Sequence, residues 1–134
     1  MSAASRFFDT NVLLYLLSAD HAKADAAERL VGSGGVISVQ VLNEFASVAT
    51  RKLRMQIPEV REVLRTVQKI CEVRPLSVET HERGLDVADR YQLSVYDAMI
   101  VASALEAGCK ILYTEDLQDG MALVSLTIRN PFQA

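Results

Sequence analysis

The stretch Arg6-Phe7-Phe8-Asp9-Thr10-Asn11 restricts this chain more than any other. Two aromatics running into Asp-Thr-Asn read as a short buried strand that stops on a carboxylate, and the apolar run Val12 to Leu17 then restarts at helical period. A strand that hands over directly to a helix is the unit of an α/β fold, and in open sheets of that kind ligands bind outside the carboxyl ends of the strands. Asp9 stands at such an end. Two readings are open at this point: Asp9 is a site residue, or it caps the helix that follows, since Asp, Thr and Asn all accept from the free N–H groups of a helix start.

The remaining chain repeats the alternation. Asp20 precedes an alanine-rich helix over about His21 to Val31, ended by Gly32-Ser33-Gly34-Gly35. Val36-Ile37-Ser38 reads as a second strand and Val39 to about Met55 as a helix. On that helix Val41, Phe45, Val48 and Lys52 share one line, and Glu44 borders the buried stripe. Pro58 opens a helix to about Cys71, Val73 to Leu76 reads as a third strand, and Val78 to Tyr91 is helical by period. Ser94 starts a helix to about Ala107, closed by Gly108; Lys110 to Tyr113 is a fourth strand and Leu126-Thr127-Ile128 a weak fifth. The pattern predicts one α/β domain, residues 1–134, with a mostly parallel sheet.

With 134 residues, half of them apolar, the chain can bury one real core. A net charge of −3 gives no global field that would draw in nucleic acid, so such binding needs a local basic patch. Cys71 and Cys109 have no metal-like spacing and read as reduced, buried thiols of a cytoplasmic protein. No apolar run approaches the roughly 18 residues of a membrane span, and Asp9 interrupts what would be a signal sequence. Histidines at 21 and 81 do not stand beside a nucleophile, and no glycine-rich phosphate loop is present, so triad hydrolases and Walker-type nucleotide enzymes are excluded.

Asp97 adds the second acid. It lies in line with Ile100, Val101 and Ala104, the core-facing side of its helix. Ser94-x-x-Asp97 is also a capping box, which accounts for an acid in the first turn but not for its facing inward. The helix precedes the fourth strand and therefore starts at the same sheet edge as Asp9. Thr114-Glu115-Asp116 follows the fourth strand on that edge, and Glu44 sits early in the helix after the second. Carboxylates about 5 Å apart repel by about 3 kcal/mol at an effective dielectric near 20. A hard divalent cation offsets this, and an all-oxygen cluster suits Mg²⁺ or Mn²⁺ better than zinc.

In this order and spacing the motifs Phe8-Asp9-Thr10-Asn11-Val12-Leu13, Ser38-Val39-Gln40-Val41-Leu42-Asn43-Glu44-Phe45, Tyr96-Asp97-Ala98 and Thr114-Glu115-Asp116 resemble the PIN domain, and by size the toxin ribonucleases of the VapC type. The resemblance spans nearly the whole chain. It implies a three-layer domain with a parallel sheet of about five strands in the order 3-2-1-4-5, flanked by helices. Residue by residue, it implies that Asp9, Glu44, Asp97 and Asp116 are the metal-binding, catalytic acids, with Asn11 and Thr114 in support. Many members of the family follow the last motif with a second aspartate and an aromatic, whereas here Asp119 is followed by Gly120 and Met121, so Asp119 is a candidate fifth ligand or a solvated loop acid.

The expected reaction is Mg²⁺- or Mn²⁺-dependent hydrolysis of single-stranded RNA; the resemblance implies products with a 5′-phosphate and a 3′-hydroxyl. Arg51, Lys52 and Arg54 are the nearest candidate RNA contacts, and Arg61, Arg65 and Lys69 form a second basic line. The resemblance also implies an antitoxin protein that blocks the cleft and a homodimer. The alternative is a catalytically silent PIN-like module that binds nucleic acid or protein. A phospho-accepting receiver domain would want a Lys after the fifth strand, where only Arg129 is near, and a haloacid-dehalogenase-like phosphatase would want Asp, not Asn11, two residues after Asp9.

Overall fold

Parallel strands of three residues hold only if both faces of the sheet are covered, and the central strands of this chain, Arg6–Phe8, Val36–Ser38 and Ile111–Tyr113, turn buried or half-buried side chains to both faces. The computed structural model describes residues 2–133. Strand β1 (Arg6–Phe8) leads into helix α1 (Thr10–Leu14), whose apolar run continues as a 3₁₀ turn over Tyr15–Leu17. Then come α2 (His21–Gly32), β2 (Val36–Ser38), α3 (Val39–Arg51), α4 (Ile57–Ile70), β3 (Glu72–Arg74), α5 (Val78–Tyr91), α6 (Val95–Glu106), β4 (Ile111–Tyr113), β5 (Ala122–Leu123) and β6 (Leu126–Arg129). The sheet order is β3-β2-β1-β4-β6-β5, parallel except for the β5–β6 pair.

The expected 3-2-1-4-5 order is therefore present. The expected fifth strand is β6, and β5 is a two-residue hairpin partner added at its outer edge. So short an element carries no periodicity by which to read it. Helix α3 ends at Arg51, not near Met55, because the chain reverses through Arg54 at φ 58° and Met55 donates back to the Ala49 carbonyl. Lys52 thus leaves the line begun by Val41 and Phe45 and is exposed. Strand β3 stops at Arg74, since Pro75 has no N–H to donate.

β1 lies at the centre, pairing Phe7 with Val36 of β2 and with Leu112 of β4. Phe7 and Phe8 are both fully buried, one on each face of the sheet. Phe8 fits only because position 35 lacks a side chain: a Cβ on Gly35 would lie 2.4 Å from the Phe8 ring. Helix α6 is buried from Ala98 to Ala104, and α5 covers it closely, since a Cβ on Gly84 would lie 2.3 Å from the Met99 sulfur. Cys71 and Cys109 are buried free thiols, and burial pushes both up to about 11. Among the described residues no helix is long and apolar enough to cross a membrane.

Candidate metal centre

Parallel strands that all end on one edge bring distant residues together there. Asp9 follows β1, Asp116 follows β4 by three residues, and α6 starts at the same edge with Asp97 in its first turn. One carboxylate oxygen from each of Asp9, Asp97 and Asp116 lies within 4.8 Å of the others. The cavity they share is small, about 180 Å³, and is also lined by Asn11, Glu44 and Tyr96.

The ladder itself fixes Asp9. Its N–H donates to the Tyr113 carbonyl at 3.0 Å, continuing the β1–β4 pairing one residue past the strand. One carboxylate oxygen accepts from the Thr10 N–H at 2.7 Å, so the helix-capping role weighed from sequence is real. The other accepts from the Thr114 hydroxyl at 2.8 Å. Thr114 is fully buried and its hydroxyl oxygen also accepts from the Asn11 amide at 3.2 Å and the Asp116 N–H at 3.0 Å. Thr114 therefore links Asp9, Asn11 and the backbone that carries Asp116. Only 6% of Asp9 is exposed, which pushes its carboxyl up to about 6; the bonds from Thr114 and Thr10 oppose this, and the charges of Asp116 and Glu44 add to it. Asp116 is also raised, first by partial burial and then by Asp97 and Glu115, with the Asn11 side chain working against them.

Asp97 answers the capping question. Ser94 Oγ accepts from the Asp97 N–H at 3.3 Å, so the cap is made, but among the described residues the Asp97 carboxylate does not return the bond to Ser94. It faces Asp9 and Asp116. Below it Ile100, Val101 and Ala104 are buried, as the helical line predicts.

Glu44 lies in the same cavity but outside the close group of three, its carboxylate accepting from the Thr10 hydroxyl at 2.8 Å. Asp119 is exposed and accepts from the Asn130 N–H at 2.8 Å, away from the cavity. Arg51, Lys52 and Arg54 are all exposed, and none lines the acid cavity. Sequence reasoning missed Thr10 as the support of Glu44, and Gln40, whose amide donates to the Tyr96 carbonyl at 3.1 Å and ties α3 to the first turn of α6. A polar residue one turn before Glu44 on a buried helix face was the available signal for Gln40. The Tyr15 hydroxyl donates to Glu115 at 3.0 Å, and its ring packs on Phe132 with centroids 4.3 Å apart.

Three clustered carboxylates without a cationic side chain form an all-oxygen donor set that fits a hard divalent ion. Nothing in the donor set suits a soft metal.

The chain is similar in fold to a toxin-antitoxin complex component from Klebsiella pneumoniae (TM-score 0.72, 22% identity, 97% of this chain and 100% of that one). It is similar also to VapC20 of Mycobacterium tuberculosis, described as a sarcin-ricin loop cleaving toxin (0.68, 23%, 84% and 90%). VapBC2 of Rickettsia felis, solved bound to a DNA fragment from its promoter, is a third such structure (0.67, 17%, 93% and 97%). No curated protein matches the chain. The PIN domain profile matches residues 6–119, a span that begins at β1 and includes every acid of the cavity, and the chain therefore belongs to the PIN-domain family.

Proposed function

We propose that this protein is a Mg²⁺- or Mn²⁺-dependent ribonuclease that hydrolyses phosphodiester bonds of single-stranded RNA, and that it is the toxin of a toxin-antitoxin pair. The observation that carries this reading is the inward turn of Asp97: an acid that has a local capping partner points instead at two other carboxylates. Such proximity is unfavourable without a cation, so the arrangement makes sense as a site for one. Asp9, Asp97 and Asp116 would hold the ion, with Glu44 on the far wall of the cavity. When bound, a hard divalent ion supplies charge neutralisation at phosphate oxygens and a more acidic water. The chain's own part is preorganisation. Thr10 and Thr114 hold both oxygens of Asp9, Asn11 holds Thr114, and Thr10 aims Glu44.

Toxin-antitoxin complexes among the structures of similar fold support an antitoxin as partner, and we infer that it inhibits by bringing a basic side chain to the acids. A homodimer in the cytoplasm belongs to the same proposal. Calorimetry with Mn²⁺ on wild type and Asp97→Asn tests the centre. Binding by the wild type and loss in the variant is expected; unchanged binding removes Asp97 from the site. Size-exclusion chromatography at micromolar concentration tests the dimer, which a monomer peak would rule out. Wild-type protein that binds neither Mn²⁺ nor cleaves RNA would favour the alternative, a silent PIN-like binding module.

A further inference from the structure

A second, larger concavity of about 820 Å³ opens beside the acids, between α3 and the first turns of α5 and α6. It shares Glu44, Val48 and Tyr96 with the acid cavity, so the two are one continuous depression. Its character changes along its length. Beyond Glu44 it has no further carboxylate among the described lining residues, and its charged side chain is Arg51. Arg51 thus stands at the end of the groove away from the acids, in a chain of net charge −3. Of Arg51, Lys52 and Arg54, the nearest candidate RNA contacts, Arg51 lines the groove while Lys52 and Arg54 do not. Asn43 and Ser47 add exposed hydrogen-bonding groups, and Val95 and Leu76 add apolar surface.

Tyr96 stands at the junction of the two concavities. It is 71% exposed, a large aromatic in water next to the acid cluster. Its backbone is nevertheless held firmly: Gln40 bonds its carbonyl at 3.1 Å, and Met99, on the same helix, packs in the space that Gly84 leaves empty. An exposed aromatic on a rigid turn binds a flat partner at little entropic cost.

We propose that this groove is a nucleotide subsite. Tyr96 stacks on a base that flanks the scissile phosphate, and Arg51 takes a neighbouring phosphate of the same single strand. The inference rests on the ribonuclease reading for the position of the scissile phosphate, but the groove's chemistry stands independently. A basic peptide would seek carboxylates, which the groove lacks past Glu44; a single-stranded nucleic acid wants an aromatic plane, a cation and amide or hydroxyl groups along base edges.

Binding of a short fluorescein-labelled single-stranded RNA, followed by anisotropy in an Asp97→Asn background to prevent cleavage, tests the subsite. Tyr96→Ala is expected to weaken binding roughly 10-fold or more, and Tyr96→Phe to retain it, because stacking needs the ring and not the hydroxyl. Arg51→Gln should lower the slope of log affinity against log salt by about 0.7, the loss of one phosphate contact, and the remote Arg65→Gln should not. In the otherwise native chain, Tyr96→Ala should raise KM for RNA while Mn²⁺ binding stays as in wild type. RNA affinity unchanged in Tyr96→Ala overturns the proposal, whatever else the groove then holds. Loss of Mn²⁺ binding in Tyr96→Ala overturns it too, since the residue would then serve the acid cluster. If wild type fails to bind Mn²⁺ or cleave RNA but its RNA affinity still depends on Tyr96, the ribonuclease reading falls and the subsite stands.

Discussion

The two sides of the acid cavity are built differently. On one side Asp9 sits one residue past the central strand, its backbone in the β ladder and both its oxygens hydrogen-bonded. On the other, Glu44 and Asp97 project from helices, and Asp116 from an exposed turn. The strand side is set by pairing that involves Phe7, Phe8 and their neighbours in β4, and cannot shift without breaking the sheet. The helix side is set by side-chain bonds such as Thr10 to Glu44 and Gln40 to Tyr96, each of which can be lost singly. Rigid ligands carry preorganisation, and mobile ones adapt to what arrives.

The largest expected effect breaks the strand side. Asp9→Asn should lower Mg²⁺-dependent cleavage of single-stranded RNA by about 10²-fold or more, while thermal unfolding remains cooperative because Asn still caps α1. Asp116→Asn and Glu44→Gln, assayed alongside, should each lose less. An equal or larger loss from either helix-side or loop acid would reverse the comparison. Thr114→Val comes next: it removes the bond to Asp9 and strands the Asn11 amide, and a loss of about 10-fold in Mn²⁺ affinity is expected, recovered in Thr114→Ser.

A smaller effect sharpens the comparison through pH. In the unfolded chain Asp9 ionises near 3.8, and in the folded, metal-free protein near 6. Below the first value both states are protonated and folding carries no penalty. As pH rises from about 4 to 6 the unfolded chain ionises first and stability falls; above about 6 the penalty is complete. Metal-free Asp9→Asn should therefore be more stable than wild type at neutral pH, on the order of 2 kcal/mol, with the gap closing at pH 4. Melting curves across that range measure it, and a variant less stable than wild type at pH 7 would mean that Asp9 is mainly scaffold. The smallest effect is Tyr15→Phe, which loses an exposed bond to Glu115 and should lower stability by less than about 1 kcal/mol.

What was legible in the sequence divides along the same line. Strand ends are readable because an apolar run stopping on an acid is local, and the rule that parallel strands share an edge carries Asp9, Asp97 and Asp116 into one place. The exact bounds of α3 were not, because its end depends on Arg54 adopting a left-handed backbone that no residue pattern announces. Glu44 was read to the right cavity but not to its bond with Thr10, since that depends on a hydroxyl reaching between two helices. The groove at Tyr96 was not foreseen at all. It exists only where three helices pack, and an exposed tyrosine beside Asp97 looks in sequence like any surface residue.

The central pairing of β1 with β4 has a consequence for when the protein acquires its site. Asp9 and Thr114, which touch, are 105 residues apart along the chain. During synthesis Asp9 emerges early and waits for β4 and Asp116, the last of the cavity's acids to be made. A nascent chain that ends before β4 already carries Glu44 and Asp97 but lacks the strand end that brings Thr114 and Asp116 to Asp9. Closing so long a loop is slow compared with forming the helices in between, so the pocket is among the last features to appear. The interval between the making of Asp9 and the completion of the acid cavity is thus written into the strand order.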